Sequence, residues 1–188
     1  MPSIPEPPLP RPFPGGLLRR LRPSDLEAFQ DYRGIPGLGR FQGWSPMSEI
    51  EALEFLVEME SAPLFRRGRW IQLGIADPDG DVLVGDIGLH LSTDGQGGEV
   101  GFTLAPSAQG RGVAGRAVRE ALRLFFAHTA AVEVLGITDV RNTPSVRLLV
   151  RLGFEERETR RTRFRGEEIT EQVFGLNREM AALGNAAV

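Results

Sequence analysis

The chain has 188 residues, a formal net charge of −3 and neither cysteine nor lysine, so all 22 basic residues are arginine. These counts exclude disulfides, thiolate metal ligands, acyl-cysteine intermediates, Schiff bases and the lysine of a phosphate-binding P-loop. Two histidines make a histidine-built metal site unexpected, and the charge gives no basic footprint for nucleic acid. The sequence contains no run of 18 apolar residues, so it predicts no membrane-spanning helix.

The ends of the chain are expected to lie outside the folded unit. Residues 1–16 are rich in proline, which disfavours helices and ladder hydrogen bonds, so they are expected to form a disordered or extended leader. They do not have the composition of a signal peptide. Residues 17–180 are predicted to form one domain, because their length suffices for a single core. Residues 181–188 are predicted to form a flexible tail.

Periodicity, capping motifs and turn residues predict the elements between these ends. In chain order they are a strand at 17–21, a helix from about 24 to 32, a helix from about 48 to 62, strands at 70–76, 82–91 and 99–104, a helix at about 110–128, a strand at 132–138, a helix at 142–151, and strands near 154–164 and 169–176.

Two features of this pattern indicate the fold class. Both early helices begin at a capping-box motif, with Ser24 and Ser48 as the caps. On the second helix Ile50, Leu53 and Val57 fall on one apolar face together with Leu56. Short turns join the three central strands, which predicts an antiparallel meander. The prediction is therefore an α+β fold, with a mixed, mostly antiparallel sheet flanked by helices.

A glycine-rich loop follows the third central strand. Residues 110–115 read Gly-Arg-Gly-Val-Ala-Gly, which matches the dinucleotide fingerprint by letter. Five residues separate the strand from Gly110, however, and the upstream strands form hairpins rather than βαβ units. The surrounding sequence therefore argues against a dinucleotide-binding loop. A second pattern, Gln109-x-x-Gly112-x-Ala114, fits better, because a helix N-terminus with small residues admits a pyrophosphate to unpaired N–H groups. The loop could also be a glycine-rich helix start without a ligand.

An ordered set of motifs resembles the GNAT acyl-CoA N-acyltransferases, in particular the Rim-type branch that includes ribosomal-protein alanine N-acetyltransferases. The motifs are Glu-Val-Gly-Phe-Thr-Leu-Ala-Pro at 99–106, the loop at 109–114, Asn-Thr-Pro-Ser at 142–145, Arg-Leu-Gly-Phe at 151–154 and a terminal strand at 166–176. The resemblance covers roughly residues 17–180. It implies that the strand before the loop splays from a parallel neighbour and opens a V-shaped cleft.

The resemblance also implies an acyl-donor site for acetyl-CoA. Backbone groups of Phe102, Thr103 and Leu104 would pair with its pantetheine arm, and Asn142 and Ser145 would lie near the pantetheine and the thiol. The pyrophosphate cradle would consist of Gln109, Gly110, Arg111, Gly112, Val113 and Ala114. Asn142 also suits a helix cap, and Ser145 could be only a polar residue in the first turn of that helix.

The catalytic residues implied by the resemblance are Glu99 and Ser145. Glu99 occupies a strand position where some relatives carry the base that deprotonates the amine, although it could be only a solvent-facing strand residue. The sequence departs from the family in two places: Leu149 stands where many members have a tyrosine general acid, and Thr170 replaces a frequent aspartate. Without cysteine, direct attack in a ternary complex is expected, and a non-catalytic acyl-CoA-binding module is the alternative.

The acceptor side is less defined by sequence. Phe41 and Trp44 lie on the loop between the first two helices, where the resemblance implies the acceptor mouth; they could bind a peptide N-terminus or a small amine, or simply anchor the loop. Strand parity alone does not decide whether Asp86 and His90 face the site. The resemblance leaves a homodimer open, and the lack of a targeting signal favours the cytoplasm.

Overall fold

The computed structural model describes residues 9–183, which form one mixed sheet with helices on both faces. The strands are β1 (Arg11–Phe13), β2 (Gly16–Arg20), β3 (Arg69–Ala76), β4 (Leu83–Leu91), β5 (Gly97–Leu104), β6 (Glu133–Asp139), β7 (Glu155–Phe164) and β8 (Glu167–Asn177). The helices are α1 (Leu26–Arg33), α2 (Glu49–Ser61), α3 (Val113–His128), α4 (Thr143–Arg151) and α5 (Arg178–Leu183). The α+β prediction is confirmed.

The order of the strands is β1-β2-β3-β4-β5-β6-β8-β7. Strands β2 to β5 form the predicted antiparallel meander, while β5 and β6 run parallel. The predicted helices and strands all occur, with boundaries shifted by a few residues. Among residues 9–183, no helix is both long and apolar enough to cross a bilayer.

The ordered structure extends beyond both predicted domain boundaries. Residues 1–8 and 184–188 lie outside the described part of the chain. The prediction of an unpaired leader is wrong for its second half, because β1 pairs with β2 and Arg11 forms an ion pair with Glu120 of α3 at 2.5 Å. Proline is compatible with this strand because β1 is at the edge of the sheet, where a missing N–H costs no ladder bond. Helix α5 likewise covers the start of the predicted tail.

Helix α2 differs from its predicted orientation. Its cap is confirmed, because the Ser48 hydroxyl accepts from the Glu51 N–H while the Glu51 carboxylate accepts from the Ser48 N–H. Its buried side chains are Ala52, Leu56 and Met59, whereas Ile50, Leu53 and Val57 are exposed. Only Leu56 of the predicted face is therefore buried.

The predicted Ser24 cap of α1 is wrong. At this helix start the side chain of Asp25 accepts a hydrogen bond from the Arg22 N–H and forms an ion pair with Arg19.

Side chains of alternate residues point to opposite faces of the sheet. A Cβ on Gly98 would lie 2.5 Å from Phe125 of α3, so even-numbered residues of β5 face α3. We call this side the α3 face. Asp86 of β4 bonds residues of α1 on the other side, the α1 face. Because His90 shares the parity of Asp86 and pairs with Glu99, Glu99 also lies on the α1 face.

The sheet opens between its two parallel strands. Strand β5 pairs with β6 only through residues 97–99, opposite residues 133–135. Beyond Glu99, β5 continues to Leu104 alongside β4, while β6 continues to Asp139 alongside β8. The predicted V-shaped cleft therefore begins directly after Glu99, and the far half of β5 has one edge that none of the strands within residues 9–183 covers.

Candidate active site

The opening between β5 and β6 continues into a cleft of about 890 Å³. One wall is the free half of β5, another is the start of α3 and a third is the start of α4. Eleven residues of the predicted site line this cleft: Phe41, Phe102, Thr103, Leu104, Gln109, Gly110, Gly112, Val113, Ala114, Asn142 and Ser145. Arg111, Glu99 and Trp44 do not line it. The structure thus brings together most of the predicted donor site.

The backbone of β5 decides which groups can bind a ligand. The Ala105 N–H donates to the Val84 carbonyl at 2.8 Å, which fixes the alternation of the antiparallel ladder. Phe102 and Leu104 consequently direct their N–H and C=O groups into the cleft. Thr103 directs its own toward β4, where its carbonyl would lie 2.4 Å from a Cβ on Gly85. The assignment of the Thr103 backbone to the pantetheine site is therefore wrong for a geometric reason.

Two glutamine side chains cap the carbonyls that face the cleft. Gln109 Nε2 donates to the Leu104 carbonyl at 2.8 Å, so this residue fixes the turn between β5 and the glycine loop. Gln42 Nε2 donates to the Phe102 carbonyl at 2.9 Å, across sixty positions of the chain. No local pattern in the sequence points to Gln42, because this residue lies in an irregular loop rich in glycine and proline.

The glycine loop is shaped to leave backbone exposed at the start of α3. Gly110 and Gly112 have φ angles of 76° and 74°, which side-chain-bearing residues rarely adopt. The first N–H groups of α3 lack partners within the helix and carry the positive end of its dipole. A Cβ on Gly112 would approach Arg116 Nη1 to 3.0 Å. This geometry suits an anion such as a pyrophosphate.

Two arginine side chains brace this loop through its backbone carbonyls, and Arg116 also lines the cleft. Arg116 donates from Nη2 to the Arg111 carbonyl at 2.8 Å and from Nε to the Pro14 carbonyl at 2.5 Å. Arg111 donates to the Ser107 carbonyl at 2.5 Å, so its guanidinium is turned onto the loop backbone. Arg111 therefore supports the cradle from behind instead of lining it. The second half of the predicted leader takes part in this arrangement through Pro14.

Helix α4 presents Asn142 and Ser145 to the cleft. Asn142 holds the N-cap position, but its side chain makes no capping hydrogen bond, and its N–H donates to the Asp139 carbonyl at 2.9 Å. The amide is thus available to a ligand. Leu149, at the position of the missing tyrosine, is buried and would contact a Cβ on Gly136 at 2.6 Å. It belongs to the packing between α4 and β6, so no acid comes from this position.

Glu99 lies at the point where the two parallel strands part, on the α1 face. Burial raises the pKa of Glu99, and the negative charge of Glu171 raises this pKa further, while Arg160 lowers it. Glu171 lies on the same face, because it pairs with Asp139, which shares the parity of Leu135, the partner of Glu99 on β6. Glu171 also accepts a hydrogen bond from Arg160 Nε at 3.3 Å. A carboxyl group with a raised pKa is a stronger base than an exposed one once it is ionised.

A buried network holds the loop that carries Phe41 and Trp44. Asp86 is fully buried and accepts from Tyr32, from Gln72 at 3.0 Å and from Arg33 at 2.8 Å. The Arg33 guanidinium also stacks on Trp44, 4.4 Å from the ring centroid. Burial, followed by the Asp86 charge, raises the pKa of Tyr32 well above its usual value. Asp86 therefore has a structural environment and does not point into the cleft.

The same loop is attached to β5 and to the hairpin between β7 and β8. The Trp44 indole donates to the Thr103 hydroxyl at 3.2 Å. Arg165 donates to the carbonyls of Gln42 and Trp44. Phe41 lies beneath two guanidinium groups, those of Arg40 and Arg141, and lines the cleft. Of the two predicted acceptor residues, Phe41 reaches the cavity and Trp44 fixes the loop.

Comparisons with known proteins agree with this geometry. The family model of the acetyltransferase (GNAT) domain matches residues 17–155. An uncharacterized N-acetyltransferase, p20, from Bacillus licheniformis is 23% identical over 140 residues, which are 74% of this chain and 78% of that protein.

Similar solved structures share the fold at low sequence identity. RimL, a ribosomal L7/L12 alpha-N-protein acetyltransferase in complex with coenzyme A, superposes with a TM-score of 0.76 at 14% identity, over 88% of this chain and 96% of that one. Spermidine N-acetyltransferase from Vibrio cholerae, in complex with CoA and spermine, gives 0.75 at 18% identity, over 90% and 99%. With its family model spanning most of the sheet and most of the cleft, the chain belongs to the GNAT acetyltransferase family.

Proposed function

We propose that this protein is an N-acetyltransferase that moves an acetyl group from acetyl-CoA to a primary amine by direct attack in a ternary complex. One observation carries the proposal: the sheet opens after Glu99 into a cleft that ends at the glycine loop and the start of α3. A long donor with a pyrophosphate at one end and a thioester at the other fits this arrangement. Two of the similar structures were solved with CoA.

The cleft offers a separate group to each part of the donor. The pyrophosphate would bind the N–H groups at the start of α3, with Gly112 and Ala114 admitting it closely. The pantetheine amides would pair with the cleft-facing backbone of Phe102 and Leu104. Asn142 would add its side-chain amide, and Ser145 would lie toward the thiol. A backbone N–H of β5 would stabilise the negative charge that develops on the thioester oxygen.

In the reaction the amine nitrogen attacks the thioester carbon, and the carbon–sulfur bond breaks. The ammonium must first lose a proton, and Glu99 is the proposed acceptor of that proton, directly or through water. Its buried position and the charge of Glu171 support this role, since both raise its pKa toward the range of a general base. The thiolate of CoA leaves without an acid from Leu149, and Ser145 or water supplies its proton.

The acceptor is either a protein N-terminus or a small amine. The similar structures include enzymes named for both classes, a ribosomal protein and spermidine, so they leave the choice open. The Rim-type motifs favour a protein N-terminus by analogy. We propose that the protein acts in the cytoplasm. A homodimer is the assembly that the resemblance to the family leaves open. A screen of peptides, polyamines and aminoglycosides with acetyl-CoA identifies the acceptor class.

Gly112→Glu tests the donor site. Bulk and like charge at the cradle are expected to reduce CoA affinity at least tenfold by calorimetry. The matched control is Gly166→Glu, which places the same residue at another left-handed glycine, in the β7–β8 turn, with open space around it. Equal CoA affinity in the two variants would show that the pyrophosphate binds elsewhere.

A non-catalytic acyl-CoA-binding module is the second candidate. It is favoured by the buried Leu149 at the tyrosine position and by Thr170 at the aspartate position. Glu99→Gln separates the two candidates, because it removes a base without touching the donor cleft. The enzyme reading predicts a turnover reduced by about 10²- to 10⁴-fold at unchanged CoA affinity. CoA binding by the wild type without transfer to any amine in the screen would favour the binding module.

A further inference from the structure

A row of three side chains crosses the sheet on the α1 face. The register places Trp70 of β3 opposite His90 of β4, and His90 opposite Glu99 of β5. Paired residues point to the same face, so the two aromatic rings and the carboxylate lie side by side. Neither Trp70 nor His90 lines the donor cleft or belongs to the network around Asp86.

Trp70 lies exposed at the surface of the sheet rather than in the core. It is 47% exposed, and its ring lies 5.3 Å from the His90 ring at an interplanar angle of 36°. Beneath it, a Cβ on Gly88 would lie 3.2 Å from the Trp70 ring and 2.4 Å from Gln72 Oε1. Glycine at this position therefore lets the indole lie close to the sheet. The two rings, tilted at 36° to each other, thus form an aromatic surface beside the proposed base.

Negative charge gathers at one end of this row, because Glu99 and Glu171 lie where the strands part. The arginines before Trp70 lie elsewhere: Arg69 alternates with Trp70 along β3 and so points to the α3 face, and Arg67 Nε would lie 2.7 Å from a Cβ on Gly95 in the turn between β4 and β5. An amine is attracted to the two carboxylates, while the indole at the other end offers contact area to an uncharged part of the acceptor. The row therefore suits a peptide whose positive charge is its N-terminal nitrogen.

From this juxtaposition we infer that Trp70, with His90, is an acceptor subsite that binds the third or fourth residue of a peptide N-terminus. Two interstrand spacings separate Trp70 from Glu99, about 10 Å. An extended peptide advances about 3.3 Å per residue, so its third or fourth residue reaches the indole when the N-terminal nitrogen is at Glu99. This inference rests on the proposed function and extends it to the choice of acceptor.

The test compares Trp70→Ala with wild type on acceptors of increasing length: alanine amide, a dipeptide amide and a tetrapeptide amide. The tetrapeptide is expected to show KM raised about fivefold or more, with kcat and CoA affinity unchanged, while alanine amide is unaffected. Trp70→Phe should recover most of the loss. The control is Val82→Ala, another exposed apolar residue, in the turn between β3 and β4.

Three outcomes would overturn the inference: equal effects of Trp70→Ala on all lengths, no effect on the tetrapeptide, or a triamine whose KM depends on Trp70 more than that of the tetrapeptide. Binding of the tetrapeptide to the CoA-saturated protein, measured by calorimetry, provides a readout without turnover. If no acceptor is acetylated by the wild type, the proposed function fails. In that case the subsite is supported if Trp70→Ala weakens tetrapeptide binding to the CoA-saturated protein at least fivefold, and contradicted if it does not.

Discussion

The contact between Gln42 and the Phe102 carbonyl predicts an unusual effect on donor binding. This carbonyl is one of the groups of β5 that the proposed function assigns to the pantetheine arm, yet a side-chain amide already occupies it at 2.9 Å. Donor binding must then replace one amide donor by another. Gln42→Ala removes the competing donor, so we expect the variant to bind CoA more tightly than the wild type.

The size of the effect follows from the net value of one hydrogen bond. A neutral amide–carbonyl bond contributes about 0.5–1.5 kcal/mol to stability after exchange with water. Without Gln42, the donor displaces only water from this carbonyl, and this amount is added to its binding free energy. The dissociation constant for CoA should therefore fall about 2- to 12-fold. The loop should keep its place, because Trp44 and Arg165 hold it independently.

Titration calorimetry with three ligands tests this reasoning. CoA and pantetheine both carry the amides and should gain equally, whereas ADP carries only the nucleotide end and should gain nothing. Gln96→Ala serves as the control, because Gln96 lies exposed in the turn between β4 and β5, away from the cleft. Unchanged or weaker CoA binding by Gln42→Ala would refute the assignment of the Phe102 carbonyl to the donor.

Three further predictions concern charged groups. Glu171→Gln removes the repulsion that raises the pKa of Glu99, so the acid limb of the pH–rate profile should move to lower pH; an unmoved limb would contradict the assignment of Glu99 as base. Because the pKa of Glu99 is raised on folding, its ionisation destabilises the protein as pH rises from its unfolded pKa through its folded pKa. Glu99→Gln should therefore increase the denaturation midpoint relative to wild type at pH 7 more than at pH 4, and a gain independent of pH would argue for packing instead. Asp86→Ala leaves Arg33 buried without its partner and should lower the free energy of unfolding, measured in urea, by about 3–5 kcal/mol. Asp79→Ala, in an exposed turn, should lower it by almost nothing. Similar losses in the two variants would contradict a stabilising role of the buried network around Asp86.

Local signals sufficed wherever the structure depends on neighbouring residues. The meander follows from alternating apolar residues and short turns, and the cap of α2 follows from Ser48 and Glu51. The glycine loop could be located because left-handed backbone at Gly110 and Gly112 requires particular residues at particular spacings. Most of the donor cleft is built from such segments. Most residues that line the donor cleft could therefore be identified by position from the sequence.

Other predictions failed where local patterns fit two arrangements. Helix α2 carries apolar residues around much of its circumference, so the sequence could not show that Ala52 and Met59 pack inward while Ile50 and Val57 remain exposed. Strand β1 was missed because proline, here Pro12, is unfavourable for strand pairing in general. Proline is tolerated in an edge strand, and only the completed sheet shows that β1 is an edge strand.

The α+β fold, the position of the glycine loop and the family motifs could be read from the amino-acid sequence, because they depend on short-range backbone preferences. Three features became visible only in the folded chain: the backbone of Thr103 faces β4, Gln42 reaches the Phe102 carbonyl, and Trp70 and Glu99 share a row. Each of these depends on strand register or on contacts between distant segments. A register shift by one residue reverses every side chain of a strand, and nothing within the strand reveals its partner.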